Sequence, residues 1–314
     1  MTPTEAPPTA SLLLELTQAR LDERARTWLE EARARIAGGL AESEFATLFS
    51  SASRFAHGGS KRAGLQPDEG ARARASELLR GFDPERWTVL ESARVLLLLA
   101  RPDLAEPTAE LAIEELFRYA DEGELCALYR ALAHLPAPER FVWRAGEGCR
   151  TNMLTVFEAV ACDTPYPATQ FDELAFRQAV VKGIFVGAPV WRIWGLDRRI
   201  DPELVRMVLD LVEERRSAGR EIQPELWLCL GAEPGERGLA YLEQELAGSH
   251  TLGKQAAALA LARAGQLDRL RSAAEGETEA AAAAWMRFTL ERAEAGEELY
   301  QFAFRELDPR LQTT

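Results

Sequence analysis

Between Gly146 and Arg199 the chain reads GEGCRTNMLTVFEAVACDTPYPATQFDELAFRQAVVKGIFVGAPVWRIWGLDRR, and charged and hydrogen-bonding side chains stand there inside apolar context. Burying such groups without partners costs on the order of 1–3 kcal/mol each, so partners are expected. Lys182 sits between Ala179-Val180-Val181 and Gly183-Ile184-Phe185, one of three lysines in a chain that carries 34 arginines. An amine so placed either snorkels across an apolar face and pairs with Asp172 or Glu158, or stands partly desolvated to meet an anionic or carbonyl ligand. Asp163 and Tyr166 flank Thr164-Pro165, and a proline follows each of Thr164 and Tyr166. Each X-Pro bond restricts the residue before it to extended backbone, which predicts one fixed orientation for Tyr166. Further on, Trp191, Arg192, Trp194, Asp197, Arg198 and Arg199 crowd around Gly195. Either Asp197 pairs with an arginine while the indoles seal a corner, or aromatic and guanidinium groups together bind a planar or anionic group.

Helices must position these groups. The spacing predicts one over Thr151–Ala161, with Asn152, Thr155 and Ala159 on one side, then a stiff connector over Cys162–Pro167 and a second helix over Gln170–Phe185. In that helix Gln178 and Lys182 are i,i+4 neighbours. Upstream, Leu21, Ala25, Trp28, Leu29, Ala32 and Ile36 share one face of a helix that Gly38-Gly39 ends. A helix over Glu42–Ala56 precedes a glycine loop, residues 57–64, that carries His57. Asp83-Pro84 and Asp201-Pro202 each place a capping carboxylate before a first-turn proline and predict helix starts. Further helices are expected over Glu106–Ala120, Glu122–His134 and Glu203–Arg216. After Pro224 short Ala/Leu helices alternate with Gly-bearing turns. The fold class expected is therefore all-α, an irregular helical array with a HEAT-like α-solenoid in its C-terminal part. Its boundaries are a tail over 1–10, one helical domain over 11–305 (11–145, 146–199 and 200–305), and a tail over 306–314.

Composition agrees with helices. Val and Ile together number 18 of 314 residues, too few for the β-branched strands of a large parallel sheet. The chain is 47% hydrophobic and 28% charged, an ordinary globular balance. Lys and Arg number 37 against 50 Asp and Glu, a formal charge of −13, which speaks against a nucleic-acid groove or a polybasic lipid surface. No apolar run reaches membrane length, so direct membrane insertion is not expected. Cys126, Cys149, Cys162 and Cys229 never form CxxC, and His57, His134 and His250 stand far apart. Neither a metal nor a cofactor is expected, and a reducing cytoplasm is the simplest compartment. GxGxxG, Walker and GxSxG loops are absent from the sequence.

Cys149-Arg150-Thr151-Asn152, Thr155-Val156-Phe157-Glu158-Ala159, Cys162-Asp163, Pro165-Tyr166-Pro167, Phe171-Asp172-Glu173, Lys182, Phe185-Val186-Gly187 and Gly195-Leu196-Asp197-Arg198-Arg199 together form a composite pattern. This pattern resembles the EboA-domain proteins, which are encoded in bacterial clusters beside a prenyltransferase-like membrane protein and several enzyme-like companions. The resemblance implies a part in moving a secondary-metabolite precursor toward the periplasm, with pathway proteins and a small-molecule metabolite as partners. It places Arg150, Asn152, Glu158, Asp163, Tyr166, Asp172, Lys182, Asp197, Arg198 and Arg199 on the matching positions. With Trp191 from the corner, these are the candidate ligand- or partner-binding residues, and no catalytic role is assigned to any of them. The expected function is a non-catalytic metabolite binder or scaffold. The alternative is a cofactor-independent enzyme whose site lies around Lys182, Asp163 and Tyr166.

Overall fold

The computed structural model of the chain describes residues 7–311. It is all-helical; among the described residues the single strand-like feature is an isolated bridge between Gly64 and Thr88. The chain divides into two compact units, residues 1–172 and 173–314, and the boundary falls inside the 146–199 segment.

Unit 1 contains α1 (Pro8–Arg20), α2 (Glu23–Ala37), α3 (Glu42–Phe55), α4 (Glu69–Leu78), α5 (Val89–Leu99), α6 (Pro107–Tyr119), α7 (Glu122–Ala131), α8 (Val142–Cys149), α9 (Leu154–Ala161) and α10 (Tyr166–Gln170). Helix α5 is the hub, packed by α1, α2, α3 and α7. All but one of its residues are buried, as an all-round apolar helix requires. Its polar members are matched: the Ser92 and Thr17 hydroxyls lie 2.7 Å apart, and Arg94 faces Glu124. A reciprocal capping box starts the helix, with Glu91 N–H donating to Thr88 Oγ1 and Thr88 N–H donating to Glu91 Oε2.

That box corrects the expected helix start at Asp83-Pro84. Pro84–Arg86 forms only a 3₁₀ turn, capped by Asp83; Trp87 is then buried, and the α-helix waits for Thr88 and Glu91. The expected tail over 1–10 needs the same kind of correction. Helix α1 begins at Pro8, Thr9 and Ala10 are buried, and Thr9 Oγ1 lies 2.8 Å from His134 Nδ1. At the other end of the chain, residues 301–307 form a 3₁₀ helix and Leu307 and Asp308 are buried, so the expected tail over 306–314 begins too early. The rest of those two tails, 1–6 and 312–314, lies outside the described residues.

Unit 2 contains α11 (Glu173–Val186), α12 (Leu196–Arg199), α13 (Pro202–Ser217), α14 (Glu225–Leu228), α15 (Gly235–Leu246), α16 (Thr251–Arg263), α17 (Leu267–Gly276) and α18 (Ala280–Glu294). Asp201 caps α13 as its position before Pro202 predicts, accepting from Leu204 N–H at 2.8 Å. Consecutive contacts run from α15 to α16, α17 and α18. Helix α16 also packs against α14, α18 and the 301–307 turns, and Ala256–Ala262 is buried on every side. Alanine permits such close approach of neighbouring helices because it brings little side-chain volume to the contact.

Candidate functional site

Two expected helices of the 146–199 segment start late. Thr151 Oγ1 accepts from Met153 N–H at 3.1 Å and holds 151–153 outside α9, so Asn152 stands off the helix on an exposed turn. Within the expected connector, Thr164 Oγ1 accepts from Tyr166 N–H, and Tyr166–Gln170 turns once as α10 before α11 begins at Glu173.

In unit 1 the candidate residues fall into exposed and buried sets. Arg150 is exposed and pairs with Glu147 one turn back on α8. Asn152 and Asp172 are exposed and Glu158 is half-buried. Tyr166 is buried, donates to Pro138 O at 2.6 Å and meets Phe171 edge to face. Burial, with Glu139 adding, pushes its phenol above the usual range, which disfavours the phenolate. Asp163 is also buried and adopts φ +58°, a conformation that aspartate tolerates better than most residues. Its carbonyl accepts from Asp83 N–H at 3.0 Å.

Around Asp163 lies a charged cluster that the sequence reading did not single out. Arg72 bonds Asp83 at 2.6 Å and Glu85 at 3.1 Å. Arg130 is buried, bonds Glu91 at 3.0 Å and lies over the Trp87 ring. Burial opposes the charge on Arg130, but Glu91 and Asp163 outweigh it and hold the guanidinium above its ordinary range. The sequence signal for this cluster was Thr88-x-x-Glu91, the capping box itself.

In unit 2 the glycine corner is a hydrogen-bonded hub. Trp191 is buried and donates from Nε1 to Asp308 Oδ2 at 2.7 Å. Gln301 Nε2 donates to Trp191 O at 2.8 Å and Ile193 O at 2.7 Å, while Gln301 N–H donates to Asp197 Oδ2 at 2.6 Å. Asp197 also pairs with Arg263, and burial pushes that guanidinium's pKa down while Asp197 opposes the shift. Arg198 is exposed over the Trp194 ring. Arg199 bonds Glu173 at 3.0 Å and lies 4.4 Å over the Phe176 ring. Lys182 is half-buried, with its amine 5.1 Å from the centre of the Phe185 ring.

Other chemistry-bearing groups are held inert by burial. All four cysteines are buried, and the thiols of Cys126, Cys149 and Cys229 are pushed up to about 12 by desolvation. Among the described residues no group of three His, Cys, Asp or Glu is placed to hold a metal ion, and no helix is long and apolar enough to cross a membrane. Four cavities of unit 1 are lined by other residues, and one of them includes His57 from the glycine loop.

The described chain is thus an all-helical protein whose marked polar segment spends its buried members on hydrogen bonds and ion pairs that hold turns. The family profile described as "Metabolite traffic protein EboA" matches residues 9–231. The chain belongs to the EboA family. No curated protein and no solved structure matches it.

Proposed function

We propose that the chain is a non-catalytic cytoplasmic component in the traffic of a secondary-metabolite precursor toward the periplasm. It acts there as a metabolite binder or as a scaffold for pathway proteins that include a prenyltransferase-like membrane protein. Family membership supports the traffic role. The observation that carries the non-catalytic reading is the use of the marked groups: Tyr166 bonds a backbone carbonyl, and Trp191 and Asp197 bond Asp308, Gln301 and Arg263. A nucleophile, acid or base must keep its reactive atom within reach of a substrate, and these atoms are already committed. Arg150, paired with Glu147, and Arg198, over the Trp194 ring, are nevertheless exposed at the surface, where a partner can reach them.

The test is co-purification with the co-expressed membrane protein, using the wild type and the Arg150→Ala and Arg198→Ala variants. Recovery by the wild type and reduced recovery by a variant that remains folded is the expected result. Conversion of the precursor by the purified chain, abolished by Lys182→Ala with the fold intact, would overturn it.

A further inference from the structure

Where the C-terminal ends of α1 and α3 meet the start of α2, unit 1 has a cavity of about 450 Å³ lined by Arg20, Arg24, Arg54, His57, Gly58 and Gly59. No ion pair is formed by Arg20, Arg24 or Arg54 among the described residues, whereas elsewhere arginines of this chain pair with carboxylates again and again. Arg20 and Arg54 stand in the last turns of their helices, where a cation is favourable. Arg24 stands in the first turn of α2, where the helix dipole disfavours a cation. His57 Nδ1 is shielded from solvent and has no hydrogen-bond partner among the described residues. The one acid of the lining, Asp22, already accepts from Ala25 N–H at 2.8 Å as the cap of α2. Three arginines line this cavity against one carboxylate, Asp22, a local excess of positive charge in a chain whose net charge is −13.

Arg24 and Phe55 also line an adjoining open cleft of about 540 Å³ with Trp28. The Trp28 and Phe55 rings are stacked, 5.1 Å between centroids and 18° from parallel. The cleft also carries Glu23 and Glu31, which repel an anion, so the negative charge of a ligand belongs in the arginine cavity and its neutral body on the rings. Guanidinium forks match phosphate oxygens geometrically, and a flat apolar group gains by packing on exposed aromatic surface.

We propose that this paired cavity is a binding site for a phosphate mono- or diester group, or a diphosphate, joined to a flat apolar body. It deepens the metabolite-binding reading and rests on it for the source of the ligand. The carrier site of unit 1 then lies at α1, α2 and α3 and is lined by none of the residues of the composite pattern.

The experiment is calorimetric titration of the full chain with 1-naphthyl phosphate, 1-naphthol and inorganic pyrophosphate at low salt, with Trp28 fluorescence quenching as a second readout. The site binds naphthyl phosphate more tightly than either naphthol or pyrophosphate, and binding weakens as salt rises. Arg24→Ala and Arg54→Ala alter exposed side chains and each weaken it by about tenfold, the loss of one charge-assisted hydrogen bond. Arg220→Ala, an equal change of charge in unit 2, leaves it unchanged. No binding by any probe, or binding indifferent to Arg24→Ala and Arg54→Ala together, overturns the site. Binding of phosphatidic acid vesicles that those two substitutions abolish, with naphthyl phosphate unbound, also overturns it and assigns the arginines to a lipid surface. Recovery of the membrane partner in the co-purification test with no ligand binding here removes this site alone and leaves the scaffold role standing.

Discussion

Helix α8 offers a paired test of unit 1, because two of its glycines meet opposite surroundings. A Cβ on Gly148 lies 2.6 Å from Cε1 and Cζ of Tyr129 and 2.7 Å from Cγ2 of Val160, whereas carbon atoms rest about 3.5–4.0 Å apart. Both neighbours are buried, on α7 and α9, so neither side chain can swing into solvent. Roughly 1 Å of displacement is then needed on both sides, and overpacking of this kind costs about 1–3 kcal/mol. A clash on two sides belongs near the top of that range, while Gly→Ala within a helix regains up to about 1 kcal/mol of backbone entropy. The expected net loss for Gly148→Ala is about 2 kcal/mol, or roughly 4–8 °C in Tm for a unit of this size. A Cβ on Gly146 meets nothing within 4 Å, so Gly146→Ala raises stability by about 0.5–1 kcal/mol. Urea and thermal unfolding followed by far-UV circular dichroism read both changes. Equal stability of the two variants would refute the close packing of α8 against α7 and α9.

Gln301→Ala removes one donor each from the carbonyls of Trp191 and Ile193, the second of which keeps Leu196 N–H, and removes a bond to Asp197 N–H. It therefore destabilises unit 2 by about 2–4 kcal/mol with a shift in tryptophan emission, and unchanged unfolding would count against the corner as a hub. His134 is buried edge-on to Phe82 and Trp87, and burial pushes its pKa from 6.5 down to about 4. Between those values the unfolded chain takes up a proton that the folded chain refuses. Stability is thus full above about 6.5 and falls as pH drops toward 4, by about 2 kcal/mol between pH 7 and pH 5. Urea midpoints at the two pH values check this, and a His134→Gln variant with the same pH dependence as the wild type would rule it out.

The elements legible in the sequence were those whose ends and faces are set locally. The face of α2 and its Gly38-Gly39 stop follow from spacing alone, and Asp201-Pro202 caps α13 as read. Asp83-Pro84 misled because two starts compete within five residues, and the reciprocal Thr88/Glu91 pair satisfies two backbone donors where Asp83 satisfies one. Tyr166 opens a helix and so lacks the extended backbone expected before Pro167; its bond to Pro138 O and its contact with Phe171 hold it instead. Of the alternatives at the glycine corner, the pairing of Asp197 with an arginine is the observed one; which arginine could not be read, since Arg263 is 66 positions away. The basic cavity was equally hidden. In a chain with 34 arginines the position of one gives no sign of which are paired, and only the fold brings Arg20, Arg24 and Arg54 to the lining of one cavity.

Asp197 lies within the stretch that the family profile matches, yet Arg263 and Gln301, which neutralise and hold it, lie beyond residue 231. The same holds for Trp191 and its acceptor Asp308. The corner is therefore coupled physically across that limit: a neutral side chain at 197 takes the carboxylate from Arg263 and the acceptor from Gln301 N–H. A relative that exchanged its last helices for others would have to bring a new cation and a new amide to the same corner. The part of the chain after 231 is in that sense one half of a lock, tied to the corner at Arg263, Gln301 and Asp308.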